Sequence, residues 1–412
     1  MKTFKNTLSE AAGKNTHMSH IEDLILDGGV KGARQAILAL RSLRDMLAGS
    51  AKSAVDVTVK WDGAPAVFAG IDPSDNRFFV AKKGIFNKNP KVYKSSDDID
   101  ADTSGDLNSK LQEAFQYTSA LGIKGVIQGD FLYSKSDLST KTIEGKKYVT
   151  FHPNTIVYAV DADSQAAKDI NASKIGIVWH TTYTGNSFEN MKASYGVDIS
   201  KFKKSTNVWS QDAMLRDLTD VTMSSKDTEE VNKNLTSIGK LFNQISSTTL
   251  KQLENNPALA QSIETFNNTY VRKGEVIGDT RKHVENLIKW QTARFQKEID
   301  SRKTDKGKQA QVTKRDELLS FFSKGNKSNL EKMFELQKLI VVVKLKLINI
   351  LNRVKKIDTF VMTKDGFRVT GEEGYVAIDT LGKDAVKIVD RMEFSYNNFS
   401  PEILKGWDNA GR

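Results

Sequence analysis

The sequence predicts an α+β protein with a mostly antiparallel core, an N-terminal helical segment and a large all-α insertion. Short runs rich in Val, Ile, Phe and Tyr, separated by turn residues, occupy positions 54–200 and return after position 357, as in β-strands. Between them, residues 205–356 lack this pattern and have the apolar spacing of helices. Strands on both sides of a helical block favour an insertion into one core over a string of independent domains.

Residues 1–50 form the predicted N-terminal helical segment. A short helix, a Gly-Gly break at 28–29 and an amphipathic helix are predicted between 19 and 49. The apolar face of the second helix consists of Ala36, Ile37, Leu40, Leu43 and Leu47. Before it, His17 and His20 have the spacing of half a metal site, but a role at the start of the helix is favoured because no further ligand is evident.

Two segments, 51–204 and 357–412, are predicted to build the core. The first contains several strand-like runs, including "VDVTVKW", "GVIQGDFLYS" and "KIGIVWHTTY", and one helix around 104–122 interrupts them. The second contains "TFVMT", "FRVTGEEGYVAID" and "AVKIVDRMEF". His152 and His180 stand near strand ends, where we expect them to make hydrogen bonds.

The insertion, residues 205–356, is expected to carry a positively charged surface. The chain has a net charge of +10, and residues 281–356 alone hold 20 Lys or Arg against 8 Asp or Glu, an excess of 12. This uneven distribution favours nucleic acid or another phosphate-rich partner, and an ordinary solvated helical surface is the alternative. The predicted nucleic-acid contacts are Lys289, Arg294, Lys297, Arg302, Lys303, Lys314 and Arg315.

The composition excludes several kinds of chemistry. The chain has no cysteine, which rules out disulfide frameworks, thiolate zinc sites and cysteine nucleophiles. Its first residues contain no apolar signal-peptide core, and the most apolar run, 339–351, contains two lysines and is too short to span a bilayer. A soluble intracellular protein is therefore expected.

One lysine stands out in the stretch "VTVKWDGAPAVFAG", residues 57–70. Lys60 lies in a β-rich run just before Asp-Gly, and it could be a salt-bridged strand residue, a phosphate-binding residue or a covalently modified one. A free lysine is protonated at neutral pH, so it becomes a nucleophile only where burial or neighbouring cations lower its pKa. Val59 and Trp61 flank Lys60, and Lys82, Lys83 and Lys387 are candidates for the neighbouring cations.

The tetrapeptide "KWDG" at 60–63 resembles motif I, Lys-x-Asp-Gly, of the covalent nucleotidyltransferases, which comprise ATP-dependent DNA and RNA ligases and mRNA capping enzymes. Further matches follow in the family's order. They are "FFVAKKG" (78–84) to the basic strand after motif I, "VIQGDFLYS" (126–134) to motif III, "FHPNTIVYAV" (151–160) to motif IIIa, "EEGYVAI" (372–378) to motif IV and "AVKIVDR" (385–391) to motif V. The resemblance covers 54–200 and 357–395, and motifs IIIa and IV are most similar to those of phage RNA ligases.

The resemblance implies an ATP-dependent polynucleotide ligase. Lys60 would attack the α-phosphate of ATP to form lysyl-AMP, the AMP would pass to a 5′-phosphate end, and a 3′-hydroxyl would displace it. Asp62 and Gly63 complete motif I. The resemblance also implies that Lys387 and either Lys82 or Lys83 bind the α-phosphate and that Asp130 contacts the ribose. Tyr158 and Tyr375 would hold the adenine, and Glu373 would help to bind Mg²⁺. The expected cofactors are thus ATP and Mg²⁺, and RNA is preferred over DNA as the substrate.

Three positions depart from the family pattern. Pro65 stands where motif I usually has an arginine, Ile378 replaces the lysine that often ends motif IV, and Val389 replaces the second lysine of motif V. Few residues follow motif V, which favours RNA-ligase-like relatives over enzymes with a C-terminal OB domain. The composition suits a phage protein acting in the bacterial cytoplasm.

Two alternatives stay open. One is an inactive ligase-fold protein with a nucleic-acid-binding or phage structural role, and the other is an AMP transferase with a protein or small-molecule acceptor. The ligase hypothesis requires Lys60, Asp130, Glu373 and Lys387 to share one pocket.

Overall fold

The computed structural model describes residues 18–49, 55–215, 223–322, 324–353, 357–379 and 385–408. The helices are α1 (Leu24–Leu47), α2 (Ser96–Asp102), α3 (Gly105–Thr118), α4 (Gln165–Ala172), α5 (Ser225–Phe242), α6 (Ser247–Glu254), α7 (Pro257–Arg272), α8 (Thr280–Asp300), α9 (Asp305–Ser320), α10 (Lys324–Leu351) and α11 (Arg391–Phe399). The strands are β1 (Val55–Lys60), β2 (Ala66–Ile71), β3 (Phe78–Ala81), β4 (Val126–Ser134), β5 (Ser139–Ile143), β6 (Lys146–Phe151), β7 (Ile156–Asp161), β8 (Ile175–Thr184), β9 (Lys192–Tyr195), β10 (Val208–Asp212), β11 (Asp358–Thr363), β12 (Gly366–Val369), β13 (Gly374–Asp379), β14 (Ala385–Ile388) and β15 (Ile403–Leu404).

The fold is mixed α and β with mostly antiparallel sheets, as the sequence predicted. One six-stranded sheet has the order β10-β8-β4-β2-β3 with β9 on β8, and a second has the order β12-β11-β7-β6-β5 with β15 on β11. A third sheet contains β1, β13 and β14. Among the paired strands, β10 runs parallel to β8.

The three-stranded sheet joins the two parts of the chain that flank the helices. Strand β1 pairs with β13 from Val55 opposite Asp379 to Lys60 opposite Gly374, and β13 pairs with β14. Side chains alternate between the two faces of a strand. Val57 and Tyr375 therefore lie on the face that packs into the helical core, whereas Lys60 lies on the other face.

The predicted break at the two glycines is a kink within one helix rather than a gap between two helices. Helix α1 continues through Gly29, which leaves the helical conformation with φ of +50° and ψ of −125°. A side chain at Gly29 would also approach the Leu250 carbonyl oxygen to 2.8 Å, so this position requires glycine. The predicted apolar face is buried in one core with α5 to α8 and α10.

The helical body begins later than the sequence pattern predicted. Strand β10 lies within the range 205–356, which was expected to be helical throughout, and the following helix begins at Ser225. In the sequence of β10, "VWSQD", only Val208 and Trp209 are typical of strands. The strand is held by the edge of β8, from Val208 beside Ile175 to Asp212 beside Trp179.

A buried ionic cluster connects three distant parts of the chain. Lys344 on α10 is 1% exposed, and its Nζ lies 2.7 Å from the Glu22 carboxylate. Arg391, the first residue of α11, binds Asp23 at 2.8 Å. Burial alone would raise the pKa of Glu22, but the charges of Lys344 and Arg391 lower it to about 2.

Replacement of Lys344 tests this cluster. We expect Lys344→Met to lower the free energy of unfolding by about 3–5 kcal/mol, because it leaves the Glu22 carboxylate buried without its nearest cation. Lys346→Met is the matched control. Lys346 is two residues away, 29% exposed, and paired with Asp227 and Glu230, so its loss should cost about 1 kcal/mol or less. Urea unfolding compares the two, and equal losses would contradict this account.

Candidate functional site

Lys60 and Glu373 form the centre of the candidate site. Lys60 ends β1 opposite Gly374, and Glu373 immediately precedes β13, so the strand pairing places the two side chains together. The Lys60 Nζ forms an ion pair with Glu373 Oε1. The Lys60 side chain is 34% exposed and the Glu373 side chain 10%. A reachable amine is therefore paired with a nearly buried carboxyl group.

The Glu373 carboxyl group titrates near neutral pH. Burial raises its pKa to about 7, Lys60 opposes that rise, and the charges of Asp62 and Asp130 add to it. A carboxyl with this pKa is a suitable proton acceptor at neutral pH.

Lys387 provides a second cation on the same sheet. It lies opposite Val376 on β13, and Val376 lies opposite Thr58 on β1. Burial and the charge of Lys60 lower the pKa of Lys387, whereas Glu373 raises it. The backbone of Lys387 is held on its outer side, because its N–H donates to Ser19 and its carbonyl accepts from Ile21.

Asp130 approaches the site from the neighbouring sheet. It lies on β4 opposite Ala66, and its carboxylate is 3.5 Å from His180 Nε2. Residues 61–65 connect β1 to β2, and we call them the Lys60 loop. A Cβ atom at Gly63 would come within 2.7 Å of the Asp130 Cβ, so glycine allows this loop to lie against β4. Of the four residues, Lys60 and Glu373 are in direct contact. The charge of Asp130 acts on Glu373, and Lys387 lies on the same sheet as Lys60 and senses both charges of the ion pair.

Asp62 is bound to protein rather than open to a ligand. Its buried carboxylate accepts hydrogen bonds from the Asn154 side chain at 2.7 Å and from the backbone N–H groups of Thr155 and Ile156 at 2.6 and 2.9 Å. These donors belong to residues 152–156, which we call the β7 turn. Asp62 therefore fixes the Lys60 loop against the β7 turn.

The two tyrosines expected to hold adenine are both buried against other side chains of the protein. Tyr158 is stacked against Trp61 and Phe151 at ring distances of 4.8 and 5.3 Å, and its hydroxyl accepts from the Asp62 N–H at 2.7 Å. Tyr375 is 1% exposed on the helical side of its strand and donates to Asn352. Strand alternation explains this, because Tyr375 lies opposite Val59 and not opposite Lys60.

The two lysines after motif I have different surroundings. Lys82 binds Asp102 at 2.9 Å, so its ammonium group already has a carboxylate partner. Hydrogen bonds from Lys91, Tyr93 and Lys82 hold the pKa of Asp102 well below its usual range. Lys83 is exposed and begins a 3₁₀ turn.

Sequence reasoning missed the residues after motif V. A cavity beside Glu373 is lined by Asp62 and by Thr155 and Ile156 of the β7 turn, together with Asn397 and Asn398 of α11. Behind them, Lys405 donates to Thr155 Oγ1 at 2.8 Å. The sequence contains no pattern that predicts these contacts, because they involve single polar residues whose partners lie in distant segments.

The structure does not assign a metal to the site. In the described ranges, His, Asp and Glu side chains do not form a group of three or more that could hold a metal ion. Mg²⁺ at Glu373 stays a prediction, since this ion is often held by one or two carboxylates and substrate phosphates. His20 is partly buried beside Lys387, and desolvation lowers its pKa to about 3, whereas His17 lies outside the described residues.

The residues predicted to bind nucleic acid lie on two neighbouring helices and their connection. Lys289, Arg294 and Lys297 are exposed on α8. Arg302 and Lys303 are exposed between α8 and α9. Lys314 is exposed on α9, and Arg315 is partly buried beside Asp316. We call these seven residues the basic hairpin.

Comparison with known proteins places the chain in a family without assigning an activity. The model of a family of unknown function (DUF6267) matches residues 15–403, so the chain belongs to that family. No curated protein and no solved structure matches the chain.

The hydrogen bonds of Asp62 give a direct test of how the Lys60 loop is held. We expect Asp62→Asn to lower the free energy of unfolding by about 2–3 kcal/mol, because an amide NH₂ would face N–H donors in a buried position. Asp56→Asn on the exposed side of β1 is the control and should change it by less than about 0.5 kcal/mol. Thermal unfolding measures the loss. Amide hydrogen exchange should also become faster at Thr155 and Ile156, and unchanged exchange there would argue against this role.

Proposed function

We propose that this chain is an ATP-dependent, RNA-ligase-like nucleotidyltransferase whose nucleophile is Lys60. The observation that carries the proposal is the ion pair between Lys60 and the buried Glu373, with Lys387 beside them. These residues come from the segments that resemble motifs I, IV and V. A structural salt bridge would not by itself require a second, partly buried lysine next to the first.

The chemistry begins with removal of a proton from Lys60. Glu373, whose pKa is about 7, accepts that proton, and the neutral amine attacks the α-phosphorus of ATP. A P–N bond forms, the bond to the bridging oxygen breaks, and pyrophosphate leaves with the electron pair. The nitrogen then loses its second proton to solvent, which gives the neutral phosphoramidate. Lys387 lies where its charge offsets the negative charge that develops on the phosphoryl group.

Mg²⁺ would supply further charge neutralisation, and Glu373 in its ionised form would hold it. A Glu373 that has accepted the Lys60 proton would not, so the two roles of this residue are alternatives.

The acceptor in this proposal is the 5′-phosphate end of a polynucleotide, with RNA preferred. The basic hairpin supports a nucleic-acid partner because its exposed cations can contact backbone phosphates. In this proposal, the protein is encoded by a phage and acts in the bacterial cytoplasm. Among the described helices, none has the length and apolar character needed to cross a membrane.

A second candidate is a ligase-fold protein without activity, which could bind nucleic acid or serve a phage structure. Val389 favours it, because this residue is 3% exposed and packs beside Gly374, so no lysine can act from that position. Pro65 also lacks the charge of the usual arginine. An AMP transferase with another acceptor would retain the Lys60 chemistry and differ only in its second step.

Nucleotide labelling tests the covalent step. We expect the chain to retain label from α-³²P ATP plus Mg²⁺ after denaturation. Lys60→Arg should lower the amount of label at least 100-fold. Arginine keeps the positive charge beside Glu373 but does not form the phosphoramidate. Lys364→Ala, at an exposed position on the β11–β12 turn, is the control and should label normally.

Absence of label from ATP and GTP with every divalent metal tested would refute the nucleotidyltransferase and favour the inactive candidate. Where label forms, its discharge by 5′-phosphorylated RNA, by 5′-phosphorylated DNA or by neither identifies the acceptor. Discharge by neither would favour the AMP transferase.

Salt dependence tests the basic hairpin. We expect the triple variant Lys289→Ala, Arg294→Ala and Lys297→Ala to weaken binding to single-stranded RNA and to reduce the slope of log K against log salt by about 2, at roughly 0.7 per phosphate contact. The control replaces three exposed lysines of the core, Lys141, Lys147 and Lys168, by alanine. Fluorescence anisotropy over a KCl series measures both slopes, and equal reductions would show that the hairpin has no special role.

A further inference from the structure

The last described residues of the chain lie against the β7 turn. The Lys405 Nζ donates to Thr155 Oγ1 at 2.8 Å and to the Asn397 carbonyl at 2.9 Å. The next residue, Gly406, donates its N–H to the Asn154 carbonyl at 2.7 Å. Two consecutive residues therefore bind two consecutive residues of the turn.

This contact is close and requires a particular residue. A Cβ atom at Gly406 would lie 2.0 Å from the His152 carbonyl oxygen, so only glycine lets the segment approach the turn this closely. The Thr155 hydroxyl also reaches Asn398 on α11 at 3.2 Å. We call residues 397–406 the C-terminal clamp.

The β7 turn in turn holds Asp62. The backbone N–H groups of Thr155 and Ile156 and the Asn154 side chain all donate to the Asp62 carboxylate. Asp62 is two residues from Lys60, and its own N–H is held by the Tyr158 hydroxyl. Continuous hydrogen bonds thus connect Lys405, through Thr155, to the loop that carries Lys60.

The charge of Lys405 acts on the same group. Burial lowers the pKa of Lys405, and the charges of Asp62 and Asp408 raise it, so its ammonium group interacts electrostatically with the Asp62 carboxylate. Both hydrogen-bond acceptors of its Nζ are uncharged oxygens. A neutral donor could satisfy them, whereas only a cation also supports the buried Asp62 carboxylate.

We propose that Lys405 is a positioning residue that holds the β7 turn on Asp62 and thereby sets the position of the Lys60 amine. The inference rests on the proposed function, because it assigns Lys405 a part in lysyl-AMP formation. Nothing in the family resemblance points to this residue, which lies after the last matching motif. Its effect is indirect, since Lys405 contacts the turn and not the reacting atoms.

The test measures amide exchange and single-turnover labelling separately. In Lys405→Met, we expect faster hydrogen exchange at Thr155 and Ile156, unchanged exchange in β4 and β8, and a rate of lysyl-AMP formation lowered about 10- to 100-fold. The ATP concentration for half-maximal rate should change less than about threefold, because ATP binding groups are untouched. Lys405→Arg should restore most of the rate.

Two further variants keep the inference falsifiable if Lys405→Met is unstable. Thr155→Val keeps the shape of the side chain but removes the acceptor of Lys405, and it should slow labelling as Lys405→Met does. Trp407→Ala, an exposed neighbour of the clamp, should label at the normal rate.

The possible results separate this inference from the proposed function. Faster exchange at the turn with a normal labelling rate would overturn the positioning role, and so would unchanged exchange in Lys405→Met. A wild-type chain that never takes label refutes the proposed function, and with it the catalytic part of this inference. In that case, the exchange data still decide whether Lys405 holds the turn.

Discussion

Strand β1 pairs with β13 although the whole helical body lies between them in the sequence, and the candidate site depends on that pairing. Closing so long a segment has an entropic cost that grows only slowly with its length. Burial of the apolar face of the sheet offsets it, because Val57, Tyr375 and Ile388 pack into one core with the helices. The ion pair of Lys60 and Glu373 follows from the register of this pairing.

Two sets of buried polar contacts hold the site from opposite sides. On one side, the first described residues run along β14, and Glu22 and Asp23 bind Lys344 and Arg391, so the strand that carries Lys387 is attached to α10. On the other side, the Asp62 carboxylate is saturated by the β7 turn. Buried charges are costly unless they are paired, so both sets are stable only in one arrangement. A fixed arrangement of this kind keeps Lys60 and Lys387 close together although their charges repel each other.

Activity and inactivity make opposite demands on the same residues. A structural role would be served by a fully ionised Glu373 paired with Lys60, and catalysis needs a carboxyl group that can also accept a proton. The raised pKa of Glu373 and the second lysine fit the catalytic requirement. Val389 and Pro65, which stand where the ligase motifs usually have basic residues, fit the inactive candidate, and labelling decides between the two candidates.

The sequence by itself determined the alternation of strand and helix segments, the position of the helical block and the motif residues that meet around Lys60. It could do so because spacing, turn residues and short motifs are local properties. Only the tertiary structure decided which face of each strand is buried, and this placed Tyr375 in the helical core and Tyr158 against Trp61. It also decided which distant partner each polar group finds, as for Lys82 with Asp102 and Lys405 with Thr155. Such partners are set by packing of segments far apart in the chain, and no local pattern records them.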